Sequence, residues 1–130
     1  MKNLKSILAF TVLLAIVVIL QSSCKKDKIY TIEGKWEGTF YLNGNAPPYF
    51  ALQVKSGGTL DVMDNAADKN QITATGTWTV VNGVFTTDID WNGLHTSFTS
   101  PFNGKSATLS GTWGFTPSTT DGGTWSVTKQ

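Results

Sequence analysis

Three Asn-Gly pairs, Asn82-Gly83, Asn92-Gly93 and Asn103-Gly104, each stand between stretches in which apolar and polar residues alternate. Asn-Gly is the preferred filling of a two-residue type I′ turn, because both central residues take positive φ and the turn's twist matches that of the strands it joins. Such a turn also fixes which residues face each other across the hairpin. Closure at Asn82-Gly83 sets Val80 opposite Phe85, Trp78 opposite Thr87, Gly76 opposite Ile89 and Ala74 opposite Trp91. Closure at Asn92-Gly93 sets Trp91 opposite Leu94, Asp90 opposite His95 and Ile89 opposite Thr96. Closure at Asn103-Gly104 sets Phe98 opposite Leu109, Thr96 opposite Gly111 and Leu94 opposite Trp113. All three closures agree on one apolar face, so four successive strands form a meander with a single side to hide.

The rest of the chain extends that pattern. Ile32, Gly34, Trp36, Gly38, Phe40 and Leu42 alternate with a more polar set, and further strands are expected over 49–55, 60–63, 71–81, 84–91, 94–102, 108–115 and 124–129. Ser56-Gly57-Gly58 suits a three-residue turn that sets Val54 opposite Leu60 and Leu52 opposite Val62. No stretch of eleven residues supports a helical face. Eight strands with one apolar face can hide it by closing into an antiparallel up-and-down barrel, which also removes the edges. A two-layer sandwich is the alternative. The opposite face carries Thr73, Thr75, Thr77, Thr79, Thr86, Asp88, Asp90, His95, Ser97, Thr99, Thr108, Ser110 and Thr112 and reads as a solvated exterior.

Four Gly-x-Trp triplets punctuate the strands: Gly34-Lys35-Trp36, Gly76-Thr77-Trp78, Gly111-Thr112-Trp113 and Gly123-Thr124-Trp125. Residues two apart share a face, so each glycine is expected to leave room for a neighbouring ring or to let the strand bend. With Gly34-Lys35-Trp36 opening the first of eight strands, the chain resembles the lipocalins and the wider calycin group. The resemblance implies that this Gly-x-Trp closes one barrel end and that a basic residue from the last strand packs on the tryptophan. The chain has no arginine, and Lys129 is the residue for that place.

Residues 1–23 read as a signal peptide. Lys2 and Lys5 precede an apolar run from Ile7 to Leu20, whose fourteen residues would span about 21 Å as a helix, short of the roughly 30 Å hydrocarbon core. The single cysteine, Cys24, follows two serines and resembles the lipobox of bacterial lipoproteins. The resemblance implies cleavage before Cys24 and acylation of its thiol, with residues 24–29 as a tether and residues 30–130 as the barrel domain. Lys25 follows the cysteine, and the expected location is the cell envelope, lipid-anchored at the outer membrane. A lone cysteine makes no internal disulfide and leaves no thiolate pair for a metal. A net charge of +1 without arginine excludes a nucleic-acid partner.

Catalysis finds little footing. Asp90 facing His95 across a tight hairpin, with Ser97 on the same outer face, lacks an oxyanion hole and shelter from water, so no enzymatic activity and no cofactor are expected. Asp88-Ile89-Asp90-Trp91-Asn92-Gly93 matches half of a calcium loop, but Thr99 stands where the closing glutamate belongs and Ile89 and Trp91 fit a strand. Two functions remain. In the first, Trp36, Phe40, Phe50, Trp78, Phe85, Trp91, Phe98 and Trp113 line an interior that binds a small hydrophobic ligand, with Ala74, Gly76 and Gly111 making space. In the second the barrel is filled, and loops such as 43–48 and 116–122 bind a protein partner.

Overall fold

The computed structural model describes residues 26–42, 45 and 48–130. The signal segment, Cys24 and most of the 43–48 connection lie outside the described residues. Eight antiparallel strands run β1 (Gly34–Phe40), β2 (Tyr49–Val54), β3 (Thr59–Met63), β4 (Ala74–Val81), β5 (Val84–Trp91), β6 (Leu94–Pro101), β7 (Thr108–Phe115) and β8 (Gly123–Lys129). Each pairs with the next, and β8 returns to β1 to close the barrel, an architecture consistent with a calycin-like fold. The described residues contain no helix.

Two of the three Asn-Gly turns form as their chemistry dictates. Asn82 and Gly83 take φ of 51° and 75°, and Asn92 and Gly93 take 54° and 91°. Val80 faces Phe85, Gly76 faces Ile89, Ile89 faces Thr96 and Trp91 faces Leu94. The glycine turn after β2 likewise sets Val54 against Leu60 and Leu52 against Val62.

The third turn departs from expectation. Phe98 faces Trp113 and Thr96 faces Phe115, so the expected pairs Phe98–Leu109 and Thr96–Gly111 are displaced by four residues, and Trp113, expected opposite Leu94, is taken by Phe98. Pro101 is the physical reason. It has no N–H to give a continuing ladder, and pairing of β6 with β7 stops at Thr99–Thr112. Beyond it Phe102 donates its N–H to Gly83 O at 2.8 Å, and Ser110 N–H turns to the Ser100 hydroxyl at 3.0 Å. Asn103 accepts from Lys105 N–H at 2.9 Å in an Asx turn, and Gly104 O receives Tyr30 N–H at 2.7 Å. A displacement of four preserves parity, so the inward set is the expected one, although Ser97, expected on the solvated exterior, is buried.

The inward set is Trp36, Phe50, Leu52, Val54, Leu60, Val62, Ala74, Phe85, Ile89, Phe98, Leu109, Trp113, Trp125 and Val127, all buried. Rings fill the middle of the barrel. Phe50 stacks on Phe98 at 4.9 Å between centroids, Phe98 stacks on Trp113 at 5.6 Å, and Phe40 meets Phe50, Phe98 and Trp113 edge-on. The expected space beside Gly76 and Gly111 does not exist. A Cβ on Gly76 would lie 2.3 Å from Asp88 O and one on Gly111 1.9 Å from Thr99 O, so these glycines let neighbouring backbones approach and open no cavity. Among the described residues the buried core runs from Ile32 to Val127.

One end is sealed. Ile32 is buried beneath it, Trp36 donates its indole N–H to Ile32 O at 2.7 Å, and Phe102 meets the Trp36 ring edge-on at 6.5 Å. Lys129 Nζ sits 4.8 Å above the Trp36 ring and donates to Thr31 O at 2.7 Å and to Glu33 O. Burial pulls the Lys129 ammonium below its ordinary pKa, opposed by the Glu33 charge. On the outer wall Lys69, from the β3–β4 connection, pairs with Glu37 at 3.1 Å and lies over the Tyr49 ring at 4.9 Å. That lysine holds Glu37 below the ordinary carboxylate range, while burial and then Glu37 push the Tyr49 hydroxyl up to about 12.

Candidate functional site

The opposite end stays open, and it lies where β1, β3, β5 and β7 finish and β2, β4, β6 and β8 begin. A pocket of about 330 Å³ sits in this mouth. Phe40, Phe98 and Trp113, the upper part of the aromatic column, line it together with Trp91, Leu94, Thr96, Phe115, Leu42 and Asp64. The rim is apolar and wet: Leu42, Leu94 and Phe115 are 43, 53 and 41% exposed. Such a volume is at the small end of ligand pockets.

Local chemistry sets this geometry. The tight Asn92-Gly93 turn ends β5 with Trp91 facing Leu94 across the hairpin, and the Trp91 indole N–H is held by the Thr96 hydroxyl at 2.9 Å. Trp113 is fixed by its N–H on Tyr41 O at 2.9 Å and by Gly122, where a Cβ would lie 2.4 Å from the ring. Thr96 itself is 3% exposed, so its hydroxyl is a buried partner positioned from the β6 wall.

Of the eight residues expected to line a cavity, the structure gathers Phe40, Trp91, Phe98 and Trp113 in the mouth. Trp36 belongs to the sealed end, and Phe50 and Phe85 are fully buried in the packed middle. Trp78 is only half-buried, near Phe85 and with its N–H on Lys55 O at 2.8 Å. Sequence reasoning missed Leu42, Leu94 and Phe115 as site residues, and read Asp64 only with Asp68 and Asn70, flanking a solvated polar loop that could gather a weak cation. Parity puts Leu42, Leu94 and Phe115 on the inner face, but only their nearness to strand ends at the same side of the barrel marks them as a rim.

The outer-face dyad is rearranged. Asp90 faces His95 in register, yet the His95 ring meets Asp88 Oδ1 at 3.0 Å, while Asp90 accepts the Gly93 N–H at 2.5 Å. The Ser97 hydroxyl donates to Thr87 O at 2.7 Å, so its hydrogen is engaged away from the imidazole. Thr87 in turn accepts Phe98 N–H at 3.1 Å, and these side-chain bonds stand where the β5–β6 register is interrupted. Among the described residues no three acidic, histidine or cysteine side chains gather as a metal site. Compared with known protein families, with curated proteins and with solved structures, the chain finds no match.

Proposed function

We propose that the chain is a lipid-anchored envelope protein, non-enzymatic, whose barrel mouth binds a small hydrophobic ligand. The observation that carries this reading is the aromatic-floored pocket of about 330 Å³ open at one end of an otherwise filled barrel. Burial of apolar ligand surface against Phe40, Trp91, Phe98 and Trp113 supplies the free energy, about 25 cal/mol per Å² removed from water. The ligand sits on top of the packed core, so the site is a shallow cup and only part of a long chain fits inside it. Anchoring through Cys24, at the outer membrane, would attach the chain on the side of the sealed end, because the described N-terminal segment reaches the barrel there through Tyr30 and Gly104.

The test is a titration of the barrel domain, residues 26–130, with an uncharged apolar fluorophore such as N-phenylnaphthylamine. Saturable binding at one site with quenching of tryptophan emission is expected. Replacing the exposed rim residues in the double variant Leu94→Ser, Phe115→Ser should weaken it about tenfold, the cost of losing roughly 50 to 60 Å² of apolar contact. Absence of saturable binding refutes the reading. A second reading, a surface that docks a protein partner, draws on the filled middle and on the exposed Tyr41, Leu42, Ile72, Leu94 and Phe115.

A further inference from the structure

Given that the mouth pocket is the binding site, the geometry points to its ligand class: an apolar body bearing a cationic group, with Asp64 as the counter-charge. Asp64 follows the last residue of β3 and is the one charged side chain among the residues that line the pocket. It is half-buried, and none of the ion pairs among the described residues involves it. A carboxylate beside an apolar cup is a costly neighbour for an uncharged or anionic ligand and a favourable one for an ammonium or guanidinium.

The rings point the same way. Trp91, Trp113, Phe40, Phe98 and Phe115 offer aromatic faces or edges within one small cup, and ring faces attract cations. The side-chain N–H donors that would greet a carboxylate or phosphate are already engaged, Trp91 on the Thr96 hydroxyl and Trp113 on Tyr41 O. The surroundings add a field of one sign: Asp68, Asp90 and Asp121 stand at this end of the barrel, and the lysine there, Lys69, is neutralised by Glu37. The sealed end has the opposite character: Lys55 is paired with Asp61 at 2.6 Å, but Lys28, Lys35, Lys105 and Lys129 outnumber Asp27 and Glu33 there. A cationic ligand is therefore steered toward the mouth and held in it.

Three probes with one tail and different heads separate this from simple hydrophobic binding: octyltrimethylammonium, octanol and octanoate, each titrated below its micellar range against residues 26–130 with tryptophan emission as the readout. The ammonium should bind about tenfold tighter than octanol, and octanoate weaker than both. Asp64→Asn should remove most of the ammonium's advantage over octanol. Because an altered loop could perturb the cup, the wild-type protein supplies a second measurement: the ammonium-to-octanol affinity ratio should fall as salt rises. Octanol binding as well as the ammonium, octanoate binding best, or a salt-independent ratio overturns the charge assignment while the pocket reading stands. Failure of all three probes to bind overturns the pocket reading itself and this assignment with it.

Discussion

Trp36 and Lys129 show how much one residue can carry when a barrel end must be sealed. Trp36 is fully buried and covered by the ammonium of Lys129, which also satisfies two backbone carbonyls of the N-terminal strap. Trp36→Ala should cost about 3 to 5 kcal/mol in a denaturant titration, as buried aromatic truncations do. Lys129→Ala should cost about 1 kcal/mol, from the lost cation–π contact over Trp36, and Lys129→Arg should restore most of it. Trp78 shares the Gly-x-Trp signature but is half-buried, so Trp78→Ala should cost clearly less than Trp36→Ala. On the outer wall the Asp88 carboxylate, by its hydrogen bond first and its charge second, raises His95 above its ordinary 6.5. A folded pKa above the unfolded one means that this pair's contribution is complete below pH 6.5 and fades as pH rises through the folded value. An NMR titration of the His95 ring should show the raised value in the wild type and a lower one in Asp88→Asn; equal values would show that the pair does not set it.

Between elements, the chain's turn chemistry was readable wherever the turn was self-contained. Asn82-Gly83 and Asn92-Gly93 needed only their own φ values, so the β4–β5 and β5–β6 registers followed from sequence. Asn103-Gly104 carries the same dipeptide, but its neighbours decide otherwise: Pro101 ends the ladder, Phe102 goes inward to Trp36, and Gly104 O is taken by Tyr30. Pro101 was visible in the sequence and its missing N–H was the available signal; the docking of Tyr30, more than seventy residues away, was not. The glycines of the strands divide on the same principle. Gly111→Ala drives a Cβ into Thr99 O in the adjacent strand and should cost about 3 kcal/mol or prevent folding. Gly93→Ala meets nothing within 4 Å and should cost only about 1 to 2 kcal/mol, from its φ of +91°. Thermal melts of the two variants check the ordering, and a larger loss at Gly93 would contradict it.

For the whole barrel, alternation told which side chains point inward but not how deep each lies, because depth depends on the stagger between strands and on which end is plugged. Trp91 and Phe85 sit on the same face of β5, yet one lines the mouth and the other the packed middle. Asp64 reads in sequence only as part of a polar loop for the same reason, since a carboxylate just past a strand end becomes a pocket wall only once the barrel has closed. Closure also sorts charge along the axis, with an excess of lysines at the sealed end and of aspartates at the mouth, an arrangement that no local window of the sequence displays. If Cys24 is acylated, five residues separate it from Tyr30, so an extended tether of about 20 Å keeps the sealed end near the bilayer. Each lysine near an anionic surface contributes about 1 kcal/mol, and the aspartates at the far end are repelled, so the mouth should face away from the membrane. An environment-sensitive fluorophore placed at Lys105→Cys should shift on adding anionic vesicles to the acylated chain and revert with salt, while one at Thr120→Cys, in the mouth-end connection, should not respond. A response at Thr120→Cys with none at Lys105→Cys would reverse the orientation, and would bring the ligand to the cup from the bilayer instead of from the surrounding water.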